Sequence, residues 1–139
     1  MLAEAEAEDR RRLTSAVKLR DKYGIDKDGK ISRENLSRML RDLTNNKNNI
    51  ALFDELMEDT KHLGIDFRFT YGLGSARGAA NIYQNYISYN LDTFTREIND
   101  VDKATVIIHE LLHQELQSTI TAYNSVAFRG KLNNEQKRR

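Results

Sequence analysis

The chain of 139 residues has no cysteine, no proline and no tryptophan, and only three histidines. Without cysteine there is no disulfide framework, iron–sulfur cluster or cysteine zinc knuckle, so a bound metal must be held by histidine, carboxylate or water. Basic side chains number 22 and acidic ones 21, a formal charge of +1. Coating a phosphate backbone needs a concentrated basic excess, so this balance argues against a nucleic-acid partner, and the basic residues near the C-terminus read as a solvated tail. No run of about 18 apolar residues is present, which excludes a membrane-spanning helix. The acidic N-terminus, with Glu4, Glu6, Glu8 and Asp9, has no apolar core of a secretory signal. The expected compartment is the cytoplasm, or a target reached by a non-Sec route in the case of a toxin or effector.

Alanine, glutamate, arginine and lysine dominate residues 3–22, predicting a charged surface helix with a thin apolar stripe of Leu13, Val17 and Leu19. Gly24 closes it. After a polar turn, Ser32 caps a helix over 33–43 that carries Leu36, Met39, Leu40 and Leu43 at helical spacing. A loop over 44–49 leads to a third helix, 50–63, expected to bury Leu52, Phe53, Leu56 and Met57 and to stop at Gly64. The period then changes. Residues 65–71 alternate apolar and polar side chains as a half-buried strand does. Four of the seven glycines lie between Gly64 and Gly78 and predict an irregular turn. The aromatic and β-branched stretch 81–90 reads as extended, with a hairpin break at Gln84-Asn85. Asp100 or Asp102 caps the most apolar helix, 103 to about 122, and a short separate helix is expected near the C-terminus. No Pro/Ser-rich linker divides the chain, so 1–139 is read as one domain, with a helical part over 1–64 and a sheet with the apolar helix over 65–139.

That apolar helix contains His109-Glu110-Leu111-Leu112-His113. Residues at i and i+4 share a helix face, so both imidazoles can reach one metal ion, and the glutamate after the first histidine can act as general base on a water. Zinc suits this arrangement, because a water on Zn²⁺ ionises near neutral pH. The flanking Val106-Ile107-Ile108 and Leu111-Leu112 predict a buried helix with both histidines inside it. The competing reading is a pair of hydrogen-bonded core histidines.

Residues 65–125, centred on Val106 to His113 and preceded by an extended aromatic strand, resemble the zincin metallopeptidases, and in size and spacing the small domains of phage and mobile-element polyvalent proteins and of bacterial toxins. Glu115 departs from the family pattern, which usually has an apolar residue there. The resemblance implies an α+β, zincin-like fold: N-terminal helices, a small twisted sheet and a central metal-binding helix. It implies a zinc-dependent metallopeptidase, an endopeptidase rather than an exopeptidase, acting on a protein or peptide substrate. His109 and His113 would hold Zn²⁺, and Glu110 would be general base toward a metal-bound water. Asn134-Glu135 is similar to the gluzincin third-ligand motif, on a helix that would turn back toward the site; with no cysteine present, Glu135 or His62 is the candidate third ligand. Tyr123 is the candidate for oxyanion support. Zincins bind substrate backbone along the strand before the metal helix, which assigns that role to Ile87, Ser88, Tyr89 and Asn90.

A second, weaker resemblance links residues 24–35 to an EF-hand loop. Asp26, Asp28, Gly29 and Ile31 fall at loop positions three, five, six and eight, but Gly24 and Asn35 stand where the first and last carboxylates belong. A polar turn capped by Ser32 is the simpler reading. The alternative to an enzyme is therefore a non-catalytic metal-binding or EF-hand-like interaction module.

Overall fold

The structure is a computed structural model that describes residues 2–71, 73, 76–81, 84–95 and 99–137; the side chains of 2, 9, 12 and 121–137 lie outside that description. Helix α1, Leu2–Tyr23, ends at Gly24 in the left-handed conformation (φ 61°). Strand β1, Lys30–Ile31, follows the polar turn and leads into α2, Arg33–Leu43. Ser32 caps α2 by accepting from the amide of Asn35 at 3.1 Å. Helix α3 begins earlier than its apolar periodicity indicates and spans Lys47–Asp59. The reason is a cap: the Asn46 side chain accepts from the amides of Asn48 and Asn49, so the polar residues expected as loop form the first turn. A 3-10 turn, Lys61–Leu63, closes on Gly64 (φ 61°).

Strands β2 (Asp66–Thr70), β3 (Gly78–Asn81) and β4 (Tyr86–Asn90) complete a four-stranded sheet in the order β1-β2-β4-β3. β2 runs parallel to β4, pairing Phe67 with Ile87 and Phe69 with Tyr89. β1 and β3 are antiparallel to their neighbours. The expected break at Gln84-Asn85 is the β3–β4 turn, where Asn85 takes φ 49°. Its first strand, however, lies in the glycine-containing segment expected to be an irregular turn. Gly78-Ala79-Ala80-Asn81 has no β-branched or aromatic residue to mark it, and pairing with β4 makes it a strand.

A short helix α4, Leu91–Thr95, leaves β4 and places Phe94 edge-on to Phe69 at 5.0 Å. Helix α5 then runs from Asp100 to Lys137 as one element. The separate C-terminal helix expected from the sequence is absent; the helix simply continues. Ala104, Ile107, Ile108 and Leu111 recur at three- and four-residue intervals on the buried side of α5 and join Phe67, Phe69, Ile87 and Tyr89 of the sheet, Leu36, Met39 and Leu40 of α2, and Phe53 and Leu56 of α3 in one core. Leu52, expected inside, is 39% exposed. The fold class is thus α+β, with α5 packed against the sheet and the N-terminal helices. Tyr89 ties the layers together: its hydroxyl donates to the carbonyl of Ile107, two residues before His109, at 3.0 Å. Among the described residues no helix is long and apolar enough to cross a membrane.

Candidate metal centre

The buried stripe of α5 determines where the histidines point. With Ile107, Ile108 and Leu111 facing inward, His109 and His113 fall on the exposed flank. This corrects the expectation that both sit inside the core: the apolar residues around them belong to a different side of the same helix. The two rings meet edge to face, centroids 4.4 Å apart, and their Nε2 atoms are separated by 2.8 Å. One nitrogen must donate and the other accept, so each ring holds the other in place. A tetrahedral zinc with ordinary Zn–N distances needs its two nitrogens about 3.3 Å apart, so parting the pair by roughly half an ångström admits an ion. Two of the ligands such a site needs are therefore present and converge.

Glu110 lies between this pair and the sheet edge. It lines a groove of about 290 Å³ with Ala80, His113 and Gln117. Its approach to β3 depends on Gly78, where an added Cβ would stand 2.8 Å from the Glu110 Cγ and 3.3 Å from its Oε1. Partial burial raises the Glu110 carboxyl above its ordinary range, and the two nearby histidines pull it back down.

Among the described residues no group of three or more His, Asp or Glu side chains could hold a metal ion. His62 is exposed and lines a different cavity, of about 420 Å³, with Asp59, Leu63, Glu115 and Ser118 on the α3 side of α5. It is not brought to the histidine pair. Glu115 shares that far side, and burial together with Asp59 and Glu55 raises its carboxyl. Among the described residues α5 continues past residue 122 to Lys137, and the 22 residues from His113 to Glu135 correspond to about 33 Å of helical rise. The expected turn and return toward the site is thus replaced by continuous helix through Lys137. The side chains of Glu135 and Tyr123 lie outside the described residues.

The strand assigned to substrate is also corrected. Ile87, Ser88, Tyr89 and Asn90 belong to β4, which is interior to the sheet and paired on both sides, with all four residues buried. Its backbone has no free edge to offer. The edge beside α5 is β3, and Gly78 and Ala80 face the site. Sequence reasoning missed these two and Gln117; the one available signal was the glycine cluster, which also fits an ordinary turn. It missed Gln114 as well, fully buried, whose amide donates to Asn85 Oδ1 at 3.2 Å and so joins the metal-helix candidate to the β3–β4 turn.

In the EF-hand-like segment, Asp26 Oδ1 accepts from the amides of Asp28 and Lys30, both at 2.9 Å. That carboxylate oxygen organises the turn. Gly29 (φ 82°) is held where a Cβ would meet the Phe69 carbonyl oxygen at 2.4 Å, so the turn is built to pack on β2. No protein-family model, curated protein or solved structure matches the chain.

Proposed function

We propose that this protein is a zinc-dependent metallopeptidase of zincin-like architecture. The single observation that carries the reading is the convergence of His109 and His113 at 2.8 Å on the exposed flank of α5, with Glu110 beside them against an edge strand. Two core histidines would not need a solvent-facing groove or a glycine cut-out for the adjoining carboxylate.

His109 and His113 would hold Zn²⁺ through Nε2. When bound, the metal supplies Lewis acidity toward a water and a substrate carbonyl. The rest is done by the chain. Glu110 takes a proton on its carboxylate as the water attacks the carbonyl carbon, and delivers it to the departing amine nitrogen. β3, at the end of the sheet, supports an extended peptide as an added strand, and the missing side chain at Gly78 lets Glu110 lie against that edge. An extended substrate lying across an open edge fits an endopeptidase. The absence of a transmembrane helix among the described residues is compatible with the cytoplasmic expectation.

The test is metal content together with hydrolysis of an unfolded protein substrate. Purified protein should contain about one zinc per chain, lost in His113→Ala. Glu110→Gln should keep fold and zinc while hydrolysis falls by roughly 10²-fold or more. Full hydrolysis by Glu110→Gln, or wild-type protein that takes up no zinc, rules the proposal out.

A further inference from the structure

We infer that a peptide added to the edge of β3 places a large apolar side chain in a cavity on the outer face of the sheet, away from α5, and that this cavity sets the substrate class. The inference rests on the reading of β3 as the edge that takes substrate.

The register of the sheet separates its two faces. Phe67, Phe69, Ile87 and Tyr89 face the core, so by alternation Thr70, Tyr86 and Ser88 face the other way. On β3, Gly78 pairs with Tyr89 and Ala80 with Ile87. That puts both on the α5 side, where Gly78 meets Glu110 and Ala80 lines its groove. Ala79 pairs with Ser88 and Asn81 with Tyr86, on the outer face. A strand added beyond β3 obeys the same alternation. The peptide residue that faces Glu110 is therefore flanked by residues whose side chains leave on the outer face.

A cavity of about 580 Å³, twice the volume of the Glu110 groove, opens on that face. Leu73 and the Tyr86 ring supply its apolar contacts, and Ala79 lines it from the edge strand. Ala79 is exposed and its side chain is a single methyl group, so a long side chain from an added strand can cross it toward the row of Ser88.

The chemistry of the walls selects the occupant. Their polar groups are already bonded to one another: Thr70 Oγ1 pairs with Ser88 Oγ, and Asn81 Oδ1 accepts from the Gln84 amide at 3.2 Å. No charged side chain is among the described lining residues. Arg68, whose guanidinium lies 5.5 Å from the centroid of the Tyr86 ring, is paired with Asp66 at 2.9 Å. A carboxylate or ammonium entering the cavity would lose water and gain no counter-ion. An aromatic or long aliphatic side chain gains contact with Leu73, Ala79 and Tyr86, and a methyl group leaves most of the space unfilled.

The test is peptide binding to the full-length chain in the presence of a chelator, read by fluorescence anisotropy. The probe is a fluorescein-labelled peptide of about seven residues, threonine on both sides of a central phenylalanine. It should bind at least about tenfold more tightly than its alanine counterpart. The glutamate and lysine counterparts should bind no better than alanine. Of the two alternate sets of backbone amides in the peptide, methylating one should abolish binding and methylating the other should not, as for a strand paired on one side. Ala79→Trp, at an exposed position, should keep the circular dichroism and erase the phenylalanine preference. Equal binding of the phenylalanine and alanine peptides, a preference that survives Ala79→Trp, or no binding by any of the peptides overturns the inference. Because the chelator removes metal, the catalytic reading is judged separately. Phenylalanine-selective binding by protein that takes up no zinc overturns that reading alone, and hydrolysis by protein that binds the peptides without preference overturns this inference alone.

Discussion

A Cβ placed on Gly78 would stand 2.8 Å from the Cγ of Glu110, closer than nonbonded carbons approach. The edge strand and the metal-helix candidate are therefore fitted to one another at a single missing side chain. Gly78 has no positive φ to explain it; close approach alone requires the glycine. Gly78→Ala should push the Glu110 carboxylate out of the groove. The expected result is hydrolysis reduced by about tenfold or more, zinc content unchanged, and a stability loss of about 1 kcal/mol, read by activity, metal analysis and thermal melting.

Metal should also register as stability. If His109 and His113 hold zinc in the folded state, free zinc at about 100 times its dissociation constant stabilises the protein by about 2.7 kcal/mol. Differential scanning calorimetry should show the transition rise on adding zinc to chelator-treated wild type. His113→Ala should show no such rise.

The Tyr89 hydroxyl, buried and donating to the Ile107 carbonyl at 3.0 Å, fixes β4 to α5 just below the histidine pair. Tyr89→Phe removes that bond with little change of shape. A loss of about 1 kcal/mol is expected, or about 3–5 °C in melting temperature, with the fold retained.

Glu115 gives a pH dependence whose sign is determined. Burial first, then Asp59 and Glu55, raise its carboxyl in the folded protein above the ordinary value of 4.5. The native state then holds this proton to higher pH than the unfolded chain does. Stability is full below the ordinary value and falls as pH rises through the raised one. Glu115→Gln should therefore leave the melting temperature at pH 4 unchanged and raise it at pH 8 by about 1–3 °C, since the site is largely solvated.

How far the sequence reaches can be seen residue by residue. The capped helix α2 with Leu36, Met39 and Leu40 inside, the alternation of β2, and the pairing of His109 with His113 on one helix all follow from local periods and caps that need no partner to be read. The hairpin turn at Gln84-Asn85 is legible for the same reason. What only the tertiary structure decided is which side each element shows. β4 is the most strand-like segment of the chain, and that apolar, aromatic character draws it to the middle of the sheet, while featureless Gly78–Asn81 takes the edge where a substrate could bind. The histidines share a helix with Ile107, Ile108 and Leu111, yet burying those three turns His109 and His113 outward. Sequence spacing specifies which residues share a face; packing against the sheet and α3 selects the face that is buried and the one left to react.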